Sequence, residues 1–178
     1  MKLLWKIVIG AASVLLVLYI ISFFLPSEFH IERRVQLAAA APAVFAQVAD
    51  LRAWPRWCPF DLQDSSVETS FSADSHGAGA WMRWVDSRRS DGRVTIVSLA
   101  ENKSIDLAIE FGAVEPETGP VNSTFSFAGD SNGTMVVWSF WGEVDGPVER
   151  YLGLFIDSQL GARFEQSLTD LQNLTVSP

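Results

Sequence analysis

Asp50, Asp61 and Asp64 flank the stretch LRAWPRWCPF, residues 51–60, and carboxylates gathered around one corner could act as acid and base. Aspartates serve more often as caps and turn braces, so the group alone carries no reaction. Cys58 sits beside Pro59 without an obvious base; Arg56 would favour its thiolate, yet a lone cysteine is more often a small buried hydrophobe. His30 and His76 stand at no ligand spacing to other Cys, His or Glu residues, and zinc needs three or four converging ligands. Neither histidine has a plausible nucleophile beside it, and no G-x-S-x-G elbow occurs, so Ser-His-Asp catalysis is unsupported. The Gly-rich turn HGAGA feeds the strand-like AWMRWV, whereas a phosphate-binding loop must feed a helix. Arg83, Arg88, Arg89 and Arg93 gather in one hairpin and could meet an anionic headgroup; Asp86 and Asp91 balance them there. We expect no catalytic constellation, no metal and no cofactor.

What remains distinctive is the pair Trp54 and Trp57 on a proline-broken corner, and the elements around it explain the pair. Upstream, EFHIERRVQLAA alternates Phe29, Ile31, Val35 and Leu37 with polar neighbours, a half-buried strand broken at Arg33. Pro42 then opens a short helix, with Phe45, Val48 and Ala49 on one face. Downstream, VETSFS, AWMRWVDS, RVTIVSLA, SIDLAIEF, VNSTFSFAG and TMVVWSFWGEV read as six strands. Turn clusters separate them at residues 75–79, 90–92, 101–103, 116–120 and 130–133. Leu107, Ile109 and Phe111, then Phe125 and Phe127, then Val136, Trp138 and Phe140 give the sheet one apolar face. Trp81 with Trp84, and Trp138 with Trp141, have odd spacing and so face opposite sides; Trp84 and Trp138 are assigned inward. The last element starts at Pro147 and keeps a helical stripe of Ile156, Leu160, Phe164, Leu168 and Leu171 to about Leu171, a helix about 35 Å long.

The predicted class is α+β: a curved antiparallel sheet of about seven strands wrapped on a long C-terminal helix. Such a grip leaves a space at one end, and Trp54 and Trp57 are expected to lid it, with an indole N–H left for a partner.

Ahead of this domain, residues 7–25 run without a charge, and ~20 apolar residues span a bilayer as a helix. Pro26 is expected to end that helix. A cleaved signal has a shorter apolar region and a small-x-small site, which Phe23, Phe24 and Leu25 do not supply. We therefore read residues 1–27 as an uncleaved anchor and 28–178 as the folded domain. The whole chain has formal charge −8; Lys2 and Lys6 lie in the anchor and every acidic residue lies beyond it, so the domain is more acidic still. That excludes broad nucleic-acid binding, which rests on phosphate neutralisation. It equally disfavours adhesion to an anionic membrane surface.

VFAQVADLRAWPRWCPF resembles the "VF..V.D...WP.W.P" corner of the SRPBCC superfamily, the START-like or helix-grip proteins, in its polyketide cyclase/dehydrase-type branch. RYLGLFIDSQLGARFEQSLTDL is similar to the C-terminal helix of membrane-anchored bacterial members, and the likeness covers roughly residues 28–172. The resemblance implies a hydrophobic cavity between sheet and helix that accepts lipids, sterols or polyketides, and it transfers no catalytic residue. It implies too that the sequons at Asn122, Asn132 and Asn173 carry no glycan.

The expected cavity wall comprises Phe45, Trp54, Trp57, Phe60, Trp84, Leu107, Ile109, Phe111, Phe125, Phe127, Val136, Trp138, Phe140, Ile156, Leu160 and Phe164. The expected partners are a hydrophobic small molecule or lipid, and the membrane through the N-terminal helix; no protein partner is identifiable. Two other readings stay open. An enzyme of the cyclase or dehydratase type would use ionisable groups in the same cavity, with Asp61, Arg83, Arg56 and Tyr151 as candidates. An interaction module would use the outward Trp81 and Trp141. Lys2 and Lys6 precede the apolar run and Arg33 and Arg34 follow it, two against two; the lysines abut the run while the arginines lie inside the first strand, so we expect the N-terminus in the cytoplasm and the domain outside it, on a bacterial inner membrane.

Overall fold

The computed structural model describes residues 2–60, 62, 64–86, 91–112 and 121–176. Asp61, Arg88, Arg89, Ser90 and the turn at 116–120 lie outside the described residues.

Helix α1 runs over Lys2–Ser22 and ends three residues before the expected Leu25. Phe23, Phe24 and Leu25 close it as turns onto the carbonyls of Ile20, Ile21 and Ser22. Leu4–Ser22 is long and apolar enough to cross a membrane, and within it only Ser22, at the domain end, is buried in the protein. Strand β1 (Glu28–Leu37) follows, then α2 (Ala41–Ala49) and a single 3₁₀ turn at Trp54–Arg56. Proline at the start of each of these two short helices removes an N–H that would have had no partner.

Six strands then follow in a meander: β2 (Val67–Phe71), β3 (Trp81–Asp86), β4 (Gly92–Ala100), β5 (Ser104–Phe111), β6 (Val121–Asp130) and β7 (Gly133–Glu143). The sheet order is β1-β7-β6-β5-β4-β3-β2, and every pairing is antiparallel. The first strand thus closes against the last, and the chain between β1 and β2 must cross the end of the sheet. The tryptophan corner lies on that crossing. Alternation sets the register. Ile105, Leu107 and Ile109 are buried in β5, opposite Phe125 and Ser123 of β6, and a one-residue slip would turn all three outward. Trp84 and Trp138 face inward as expected, 2% and 0% exposed.

Helix α3 (Pro147–Val176) has 30 residues and runs past the expected Leu171. Leu174 still packs against the core there, and the Thr175 hydroxyl donates to the carbonyls of Leu171 and Gln172. The helix lies over β1 and β7. Phe164 meets Trp138 at 4.1 Å and Phe140 at 5.3 Å between ring centroids. Arg33 accounts for the break in the β1 pattern. Its guanidinium lies across Gly161 and pairs with Asp157 and Glu165, each at 2.9 Å, one helical turn to either side. A side chain at position 161 would occupy the space of that guanidinium.

Candidate functional site

Between α3 and the β2–β5 half of the sheet is a hollow of about 280 Å³. Phe60, from the corner, stacks flat on Trp84 of β3 at 5.0 Å and 11°. Phe111 of β5 sets its edge against both rings, at 5.8 and 6.2 Å. Leu160 and Phe164 of α3 and Val67 of β2 complete the apolar wall. Its charged groups are Asp64, Asp86 and Arg163; Asp64 and Arg163 are exposed and Asp86 is half-buried. Gly92 fixes the indole in place. It stands opposite Trp84 in β4, and a Cβ there would overlap the six-membered ring of the indole.

A second, more open groove of about 560 Å³ adjoins the hollow across Pro59, Asp64 and Arg163. Trp57, Cys58 and Leu62 of the corner face Gln166, Ser167 and Asp170 of α3 there. Burial raises the Cys58 thiol far above the ordinary thiol range, against a smaller lowering by a backbone hydrogen bond from Phe60. The thiol is therefore protonated and is no nucleophile at neutral pH.

The family model described as polyketide cyclase/dehydrase and lipid transport matches residues 28–175. The chain belongs to this family. Its fold is also that of several solved structures. Protein CV1439 from Chromobacterium violaceum is 16% identical with TM-score 0.62, over 84% of this chain and 99% of that one. A protein of unknown function from Staphylococcus aureus, SA2116, is 11% identical with TM-score 0.62, over 84% and 97%. DynU16, from the dynemicin biosynthetic locus, is 13% identical with TM-score 0.55, over 83% of this chain and 46% of that one. At these identities the likeness concerns the fold alone. No curated protein matches the sequence.

Of the wall residues expected for a polyketide cyclase/dehydrase-type cavity, Phe60, Trp84, Phe111, Leu160 and Phe164 meet at the hollow. Trp57 lines the adjoining groove, and Phe45 lines a shallow depression with His76 and Leu99. Trp54, Phe125, Phe127 and Trp138 instead form a continuous ring cluster with Trp57, at centroid distances of 4.6–6.4 Å. Leu107, Ile109, Val136 and Phe140 are buried with them, and Ile156 packs half-buried against the cluster. The corner indoles are thus 0% and 2% exposed and sit within the core; Trp54 lines none of the described pockets. Trp54 donates to the Val48 carbonyl at 2.9 Å and Trp138 to the Ser123 hydroxyl at 2.8 Å, while the Trp57 N–H has no partner.

Of the ionisable candidates, Arg56 alone lines a described pocket. Arg83 sits on the face of β3 opposite Trp84, and the Tyr151 hydroxyl donates to the Leu18 carbonyl of α1. Asp86 and Arg163 line the hollow without a sequence expectation behind them. Arg163 was legible in principle, as one of two polar residues in the stripe Leu160, Arg163, Phe164, Ser167. No nucleophile is expected near His76, yet Ser75 directly precedes it and its hydroxyl lies 3.2 Å from Nδ1. That serine donates to Asp50 at 2.8 Å and is buried, so the carboxylate orients the serine and not the imidazole. The trio fastens the 72–79 loop onto the end of α2. Outward-facing Trp81 lies under the Arg93 guanidinium at 4.7 Å, and Trp141 stacks on His30 at 6.2 Å. Among the described residues no group of three or more His, Cys, Asp and Glu could hold a metal.

Proposed function

We propose that the chain is a membrane-anchored binding domain for a hydrophobic small molecule or a lipid, with residues 1–27 as the anchor and 28–178 as the binding domain. The hollow walled by the Phe60–Trp84 stack, Phe111, Leu160 and Phe164 carries this reading, because its charges sit on exposed or half-buried side chains. Its family, described by both cyclase/dehydrase and lipid transport, supports the same ligand class. Ligand pockets run to roughly 300–1,000 Å³, so a hollow of about 280 Å³ suits a compact apolar molecule or part of one lipid chain. The full chain, purified in detergent, is extracted with organic solvent and the extract analysed by mass spectrometry. An apolar species should be enriched over bulk lipid, and Leu160→Glu should lose it while keeping its unfolding transition. Identical extracts from both proteins would count against the reading.

A cyclase-type enzyme is the second reading, and Asp86 favours it as a half-buried carboxylate on the hollow's wall. Asp86→Asn would then abolish turnover and leave ligand uptake intact. We also place the domain outside the cytoplasm of a bacterial cell, on the inner membrane. A C-terminal alkaline-phosphatase fusion should be active and a fluorescent-protein fusion dark; the reverse pattern puts the domain in the cytoplasm.

A further inference from the structure

The outer face of α3 changes character along its length. Val148, Leu152 and Phe155 fall at i, i+4 and i+7, one stripe of the helix, and are 64, 57 and 56% exposed. The same stripe continues as Gln159, Gln166, Asp170 and Asn173. A helix on a water-facing surface turns its charges outward, yet here the charges of the first half are engaged elsewhere. Arg150 donates to the Ser22 carbonyl at 3.2 Å, Asp157 pairs with Arg33, and the Glu149 carboxylate folds back over Gly146.

The apolar half is the half that touches α1. Tyr151 donates to the Leu18 carbonyl at 2.8 Å, and Leu18 lies inside the candidate membrane span. Four residues separate Leu18 from Ser22, so this contact lies about 6 Å further along α1 toward its apolar centre. Interfacial helices bury their apolar face roughly 5–10 Å into the headgroup boundary, which is the same depth.

We propose that the N-terminal half of α3 docks on the bilayer that α1 enters, with Val148, Leu152 and Phe155 immersed in the lipid interface. This rests on α1 being a membrane anchor. Leu160, on the wall of the hollow, follows Phe155 by about 8 Å of helix, so the docked face adjoins the ligand site.

Single cysteines at Val14, Leu152, Phe155 and Asp170 of the full chain, labelled with an environment-sensitive fluorophore, test the proposal in phosphatidylcholine bilayers carrying brominated acyl chains. Cys58 is half-buried and lines the groove, so each variant also carries Cys58→Ala. Labels at 14, 152 and 155 should lose intensity by about twofold or more, as expected for groups at acyl-chain depth, and the label at 170 should not. Quenching at 14 but not at 152 or 155 overturns the docking and leaves the anchor standing. Quenching at none overturns both. Shielding of 152 and 155 that needs two copies per bilayer patch makes a second copy the cover and also overturns the proposal.

Discussion

Replacing Gly92 by alanine isolates how the aromatic wall of the hollow is held. Gly92 is buried in β4 between Trp84 and Phe111 and is not among the glycines with positive φ. The backbone therefore accepts alanine without strain, and restricting the unfolded chain would stabilise by about 0.4–1 kcal/mol. Against this, the new Cβ overlaps the Trp84 ring, which is closed in by Phe60 and Phe111. Overpacking of that kind costs about 1–3 kcal/mol. The steric effect wins, for a net loss of about 0.5–2 kcal/mol and a Tm lower by a few degrees in a chain of this size. In a Trp84→Leu background the shorter side chain no longer reaches across Gly92. The same alanine should then raise Tm. Thermal unfolding of the four proteins in detergent, followed by near-ultraviolet circular dichroism, closes the cycle. Shifts of the same sign in both backgrounds, additive within about 0.5 kcal/mol, would refute the proposed contact.

Arg33→Met should destabilise by about 1 kcal/mol, because both carboxylate partners are more than half exposed and each pair is screened; the difference from wild type should shrink in high salt. A thiol whose pKa is raised by folding adds stability that is complete below its unfolded value and lost as pH rises through the folded one. Stability should thus fall above pH ~8.5, by up to about 1.4 kcal/mol per pH unit, and Cys58→Ala should remove that alkaline slope in denaturant titrations. Trp57→Phe deletes a buried N–H without a partner, a gain of about 1–3 kcal/mol, and also removes part of a ring packed on Trp54, Phe125 and Trp138, which costs about as much; Tm should therefore move by only a few degrees, and a large fall in thermal unfolding would show that the packing dominates.

The strands were legible because alternation in segments such as SIDLAIEF records which side chains face the core, and the register follows from it. The end of α3 was less so. Beyond Leu171 the apolar stripe thins, and Leu174 alone marks its continuation. Periodicity also says which way a side chain points but not whether the space it points into is filled. Trp54 and Phe125 were therefore assigned to a cavity wall, whereas five rings from the corner, β6, β7 and α3 (Trp54, Trp57, Phe125, Trp138 and Phe164) close that half of the grip. Arg33 read as a defect in β1 because its partners, Asp157 and Glu165, lie more than 120 residues away.

The filled half and the open half of the sheet determine where the hollow can widen. Strands β3, β4 and β5 are each hydrogen-bonded to a neighbour on both sides, so the sheet wall carrying Trp84 and Phe111 is stiff. The opposite wall is Leu160 and Phe164 of α3 with Phe60 of the corner, and among the described residues no ladder of backbone bonds ties either segment to the sheet there. Helix α3 is clamped instead at the far edge, where Arg33 of β1 grips it across Gly161, and its first turns are fastened to α1 by Arg150 and Tyr151. β1 is one edge of the sheet and β3 is next to the other, with β7, β6, β5 and β4 between them. If the hollow takes a ligand as proposed, one larger than about 280 Å³ should enter by separating α3 and the corner from β3, with the helix turning about its β1 clamp and the seven-stranded register intact. Cysteines at Phe60 and Leu160, in a Cys58→Ala background and joined by a homobifunctional thiol reagent long enough to span the hollow, should then block uptake of bulky ligands and leave small ones unaffected. Equal loss of both would mean that the hollow binds by contact with those two side chains and does not open along this wall.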